Sequence, residues 1–275
     1  MNLNVLLPFL SAAIMGTFAF YVLQRYVARR ALHFLFWGVG LAMFGAASFA
    51  EAYLALSWSP AVFFLWYYFG AVLTAAWIGH GTLYLLVRKK WVHVVTALLV
   101  LGSLFAGYLM LRAMPTLETA IFTTAKPISE QYRTSRLDPG EAAPPGAETA
   151  TVSYRGEQVT VVRGLMPLGT PVRLTTPFFN IYGLLTLVGG AIWSAYLFWR
   201  KRVLPNRVLG NILIAAGGLS IGLASTLTRL GAGQYLYLGE LVAAILMFAG
   251  FLMAARPATA EERRQAPAAS PSAGD

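Results

Sequence analysis

Ionisable side chains are scarce in the apolar stretches of this 275-residue chain, so the few that occur there mark where chemistry could happen. Glu51 lies near the end of one apolar run, Arg229 ends a second, and Glu240 sits about one turn into a third. A charge taken out of water needs a partner. Two acids and one base therefore have two readings. One is a polar vestibule that binds a solute or a proton, with Glu51 and Glu240 as titratable groups and Arg229 as an anion contact. The other is a structural ion pair in which Arg229 neutralises one acid. Tyr68 and Tyr237 stand in aromatic-rich stretches beside these positions and are candidate ligand contacts, although an interfacial aromatic belt explains them equally. His80 is the histidine well inside an apolar run and joins the candidate ligand-binding set. Its depth does not match that of His93, which argues against a haem between them and favours a hydrogen-bonded packing role.

Other chemistries lack their residues. There is no cysteine, and both aspartates lie outside the apolar runs, so neither a thiolate site nor a Ser/His/Asp set can be drawn there. No His/Cys/Asp/Glu group has metal spacing, and no glycine-rich phosphate loop is visible. The sequence thus assigns no catalytic residue, metal or cofactor, and an enzyme is not indicated.

The elements that must position these residues are membrane helices. The chain is 57% hydrophobic and 12% charged, where soluble domains carry about 25% charged residues. Seven runs of about 20 residues can each cross a hydrocarbon core of roughly 30 Å. They cover 5–26, 32–56, 62–87, 91–112, 178–199, 208–227 and 236–255. Each must satisfy its own backbone hydrogen bonds in lipid, which predicts helices. The connections after runs one, three and five hold ten basic residues and no acid, among them Arg25, Arg88 and Arg207. The connection after run two is SWSP, and that after run six has only Arg229 at its edge. The positive-inside rule then places the N-terminus outside and the C-terminus in the cytoplasm of a bacterial-type inner, or plasma, membrane. On this reading the net charge of +10 faces anionic lipid headgroups at the cytoplasmic loops, and nucleic acid is not a partner.

Residues 113–177 form one long outer connection. Thr149–Tyr154 and Gln158–Val162 alternate apolar and polar residues around Arg155-Gly156-Glu157, which predicts a β-hairpin. This small extracytoplasmic loop domain is a candidate surface for a protein partner. Residues 256–275 are low-complexity and predict a disordered cytoplasmic tail.

The runs also repeat. Residue n set against n + 178 pairs runs one and two with five and six without a gap, with identities such as Leu6/Leu184, Ala13/Ala191, Arg29/Arg207 and Leu41/Leu219. Run three pairs with seven at a shorter offset through Tyr68/Tyr237, Gly70/Gly239 and Gly81/Gly250. The expected fold is an all-α integral membrane protein of seven transmembrane helices in a 3+1+3 parallel pseudo-repeat. Residues 1–90 and 178–255 are the three-helix units, and 91–112 is a linker helix that keeps the units parallel. Dense small residues in runs two and six, such as Gly40, Gly45, Gly217 and Gly218, suit close helix packing. The layout resembles the SWEET sugar transporters and, more distantly, opsins and seven-helix receptors. The Pro-Gln pair of the SWEET-like family is absent, and Leu204-Pro205-Asn206 is the nearest analogue. An opsin's Schiff-base lysine is also absent, because the last lysine is Lys201, before run six. Two functions follow as expectations. One is a small-solute transporter or permease with an outward vestibule at Glu51, Arg229 and Glu240. The other is a non-catalytic sensor or accessory subunit whose loop domain meets a small-molecule ligand or a protein.

Overall fold

The computed structural model describes residues 3–87, 89–144, 146–200, 205–229 and 235–256. Among them are seven helices long and apolar enough to cross a membrane, which makes this a polytopic membrane protein. Span one is Leu3–Arg29, span two Leu32–Leu54, span three Pro60–Leu86 and span four Trp91–Ala113. Span five is Val172–Arg200, span six Pro205–Arg229 and span seven Leu236–Ala254. Most ends fall within three residues of the expected ones, because apolar runs stop where charged or turn-forming residues begin. The predicted tail, apart from Arg256, lies outside the described residues.

Span five begins six residues earlier than the apolar run predicts. Its first two turns, including Arg173, Thr175 and Pro177, are too polar to read as a span. They are helical because Val172 is fully buried against Leu165 and Met166 of the loop domain. Tertiary packing, rather than lipid, sets that end.

Span one packs on spans two and seven, two on three, three on five, five on six, and six on seven. These six helices form a ring, and span four rests outside it against spans three and five. Leu98, Leu101, Leu104 and Leu111 of span four are more than half exposed, as suits a helix whose outer face meets lipid tails. Inside the ring, Met15, Leu41, Ile78, Leu187 and Met247 come from five different spans and pack into one buried apolar cluster. Small residues allow the close approaches. A Cβ on Gly210 would lie 2.6 Å from the Gly250 carbonyl oxygen, so spans six and seven touch backbone to backbone there.

Spans three and five each contain a π-helical stretch, Trp66–Leu73 and Leu185–Gly189. Such a stretch inserts a residue and shifts the helical phase. In span three the Thr74 hydroxyl donates to the Phe69 carbonyl at 2.9 Å and so covers part of the disturbed ladder. Span three starts at Ser59, whose hydroxyl accepts from the Val62 amide at 3.5 Å, with Pro60 in the first turn.

The loop between spans four and five is a folded unit. β1 (Ser135–Arg136), β2 (Thr149–Tyr154) and β3 (Glu157–Val162) form an antiparallel sheet in the order β1-β3-β2. The β2–β3 turn is Arg155-Gly156, with φ of 55° and 86°. Positive φ at both positions is the I′ geometry that matches hairpin twist. The Arg163 guanidinium bridges Glu118 at 2.7 Å and Glu148 at 3.3 Å. Donating to Glu118 raises its pKa, so the guanidinium stays charged at any pH at which the protein is handled. Ile128, Leu165 and Met166 of the loop domain share one buried core with Phe63, Trp66, Tyr67 and Met110 of the spans. The loop domain is therefore seated on the helix ends and continues their packing.

Candidate functional site

Glu51 lies three residues before span two ends and is 3% exposed. The first residue of the π-helical stretch, Trp66, points its indole at Glu51, and Nε1–H donates to Oε1 at 2.8 Å. The second oxygen, Oε2, is buried and has no partner among the described residues. Glu240 sits one turn into span seven. Its carboxyl comes within hydrogen-bonding reach of that of Glu51, and its own Oε2 is likewise buried and unpartnered. Spans two and seven both pack on span one, which brings these two helix ends side by side. Two ionised carboxylates in contact repel strongly away from water, so the arrangement calls for a proton or a positive charge between them. Among the described residues, neither acid has a basic partner.

Hydroxyls complete the cluster. Tyr237 precedes Glu240 by three residues and so lies on the same helix face. It is 1% exposed, and its phenol lies within electrostatic range of both carboxyls. It also lies beside the backbone of Ile128 and the hydroxyl of Ser129, out of hydrogen-bond geometry with either. Ser48 is one turn before Glu51 on the same face, and its buried hydroxyl has no partner. The loop domain supplies the roof. The short helix Ile128–Gln131 is buried there, and the Gln131 amide holds it by accepting from Thr123 N and donating to Thr123 O and Lys126 O. The next residue, Tyr132, packs edge-on against Trp66 with ring centroids 5.3 Å apart.

The structure thus brings Glu51, Tyr237 and Glu240 together and places Tyr68 and His80 elsewhere. The Tyr68 hydroxyl donates to the Ser103 carbonyl of span four at 2.8 Å. His80 is fully buried within a hydrogen-bonded chain across three spans. Nδ1 meets the Tyr182 hydroxyl at 2.6 Å, and Nε2 meets the Thr96 hydroxyl at 2.9 Å. Tyr84 joins Thr96 to His93 Nδ1, both at 2.9 Å, and Thr96 itself donates to the Val92 carbonyl. One assignment satisfies every member: neutral His80 donates from Nε2 to Thr96 and accepts from Tyr182 at Nδ1. A closed network of this kind ties spans three, four and five together. Arg229 ends span six, but its side chain is outside the described residues, so the expected Arg229 ion pair is outside them too.

Trp66, Ser129 and Tyr132 escape the sequence reading as site residues. Trp66 is legible only as one member of an aromatic cluster. Ser129 and Tyr132 stand in a loop with no periodicity, about 80 residues from Glu51 in the chain. Ser48 reads as one small residue among several in span two.

Compared with models of known protein families, with curated proteins and with solved structures, the chain gives no match.

Proposed function

We propose that the protein is a non-catalytic membrane sensor or accessory subunit, with its ligand site in the polar cluster roofed by the loop domain. The observation that carries this reading is the position of Ile128–Gln131. That segment lies against Tyr237, and its neighbour Tyr132 packs on the indole that binds Glu51. Anything that changes the Glu51–Glu240 contact must act on the seat of the loop domain, which gives binding a route to an exposed surface. In this reading the loop domain faces outside, the basic loops face anionic lipid on the cytoplasmic side, and a protein partner reads the loop domain.

The test is hydrogen–deuterium exchange of the full chain in lipid nanodiscs. Glu51→Gln and Glu240→Gln should raise amide exchange in residues 118–166 relative to wild type. Unchanged exchange in that region would overturn the reading.

A second reading, a small-solute transporter, is favoured by one observation. Span one packs on two and two on three as span five packs on six and six on seven, with spans three and five and spans one and seven closing the ring. That order suits two parallel units with a solute path between them. The apolar cluster inside the ring weighs against it. Two clefts of the described residues lie away from the carboxyl pair. One lies between spans five and six and is lined by Ile192, Trp199 and Ile212, and the other lies below Pro167–Pro171. Solute flux in proteoliposomes that is lost in Glu51→Gln would restore this reading.

A further inference from the structure

Resting on that reading of the site, we infer that the polar cluster binds a small monovalent cation of the sodium kind. Among the described residues, five buried oxygen atoms have no protein partner: Ser48 Oγ, Glu51 Oε2, Ser129 Oγ, Tyr237 Oη and Glu240 Oε2. Four of their residues, Ser48, Glu51, Ser129 and Tyr237, are each at most 5% exposed. Buried polar atoms are nearly always satisfied, so several orphans in one cluster point to a ligand that supplies the missing interactions.

The chemistry of the set selects the ligand. All five atoms are oxygens, and two belong to carboxyl groups. Trp66 Nε1, a nitrogen donor directed at the cluster, is committed to Glu51 Oε1. Among the described residues no basic side chain reaches either acid. Among the described residues an anion would find carboxylates and no cationic donor. A cation meets lone pairs throughout and offsets the negative charge left on the Glu51–Glu240 pair. Hard cations prefer such all-oxygen surroundings.

Charge and size narrow it further. Calcium sites bring six to eight oxygens, usually with more carboxylates, and magnesium demands near-octahedral geometry with several waters. Among the described residues no group of three or more His, Cys, Asp or Glu could hold a metal. Two carboxyls and three hydroxyls suit a singly charged ion, with one carboxyl ionised and one proton kept by the pair, so that the buried site is neutral. The burial of Tyr237, Ser48 and Ser129, each at most 5% exposed, suits a bare ion better than an organic ammonium. The ion would also join three elements. Ser48 and Glu51 come from span two, Tyr237 and Glu240 from span seven, and Ser129 from the loop domain. Binding would therefore fasten the roof to the spans.

The test is thermal unfolding of the full chain in nanodiscs, with NaCl exchanged for choline chloride at constant ionic strength. Sodium should raise the unfolding midpoint saturably, while choline should leave it unchanged. Tyr237→Phe and Ser129→Ala each remove one hydroxyl and should raise the half-saturating sodium concentration about tenfold. Glu51→Gln and Glu240→Gln should abolish the response. If they fail to fold, the two hydroxyl variants still decide. Equal responses to sodium and choline would overturn the inference, as would a response to calcium alone or unshifted half-saturation in both hydroxyl variants. If sodium has no effect but Glu51→Gln still loosens the loop domain in exchange experiments, the cation falls and the sensor reading stands. If neither responds, both fall.

Discussion

The indole of Trp66 is the donor that holds Glu51 Oε1 inside the protein. Trp66→Phe keeps an aromatic ring but removes that donor, leaving a buried carboxyl oxygen unpaired. The expected cost is about 1–3 kcal/mol, read as a lower unfolding midpoint in sodium-free buffer. Tyr237→Phe makes the opposite case in the same buffer. Its hydroxyl has no protein partner, so losing it should change stability by less than about 0.5 kcal/mol. A large loss there would mean that the phenol has an internal partner. Thr96 is a third residue with a definite cost, because its hydroxyl joins His80, Tyr84 and the Val92 carbonyl. Thr96→Val keeps the shape and strands the buried Nε2 of His80, for an expected loss of about 1–3 kcal/mol. The Glu51 response to sodium should survive in that variant, since the His80 chain and the carboxyl cluster share no hydrogen bond.

At the scale of elements, the close approach of spans six and seven depends on having no side chain at Gly210 and Gly250. A Cβ at Gly250 would stand 2.5 Å from the Gly210 carbonyl oxygen. Gly250→Ala should therefore cost about 1–3 kcal/mol by overpacking. Gly222, also in span six, has nothing within 4 Å of its Cβ position. Gly222→Ala should be neutral or stabilising by up to about 1 kcal/mol, since alanine restricts the unfolded chain and favours helix. Equal losses at both positions would contradict this packing of the two spans. The π-helical stretch of span three matters on the same scale. By shifting the helical phase at Trp66–Leu73 it lets Trp66 and Tyr67 face Tyr132, while Tyr68 faces span four.

For the whole molecule, the seated loop domain makes a prediction about proteolysis. Ile121, Phe122, Ile128, Tyr132, Leu165 and Met166 share a core with the spans, so a protease added to intact protein should spare the chain at these residues until the bundle itself loosens. Cleavage there at low protease, with the spans intact, would show that the two parts are independent. Orientation has its own check. A phosphatase fused after Arg256 should be inactive if the C-terminus is cytoplasmic, and activity would invert the proposed topology.

What the sequence by itself determined is what depends on local runs. Seven spans were legible because a helix in lipid needs about 20 apolar residues in a row. The β2–β3 hairpin was legible because alternation and a turn glycine lie within one short segment. Glu51 and Glu240 stood out because burying a carboxyl is costly wherever it occurs. Only the tertiary structure decided what rests on contacts between distant segments. β1 is two residues long and exists because Ser135 and Arg136 pair with Val162 and Val161. The first turns of span five are helical because the loop domain buries Val172. Tyr68 and Tyr237 match in the repeat alignment, yet Tyr68 turns to span four and Tyr237 to the acids, a difference set by helix phase and neighbours. The roof over Glu51 and Glu240 comes from Ser129 and Tyr132, which carry no local signal. Their role arises where folding sets them down, because a polar site is made by the groups that meet there and not by the order in which the chain supplies them.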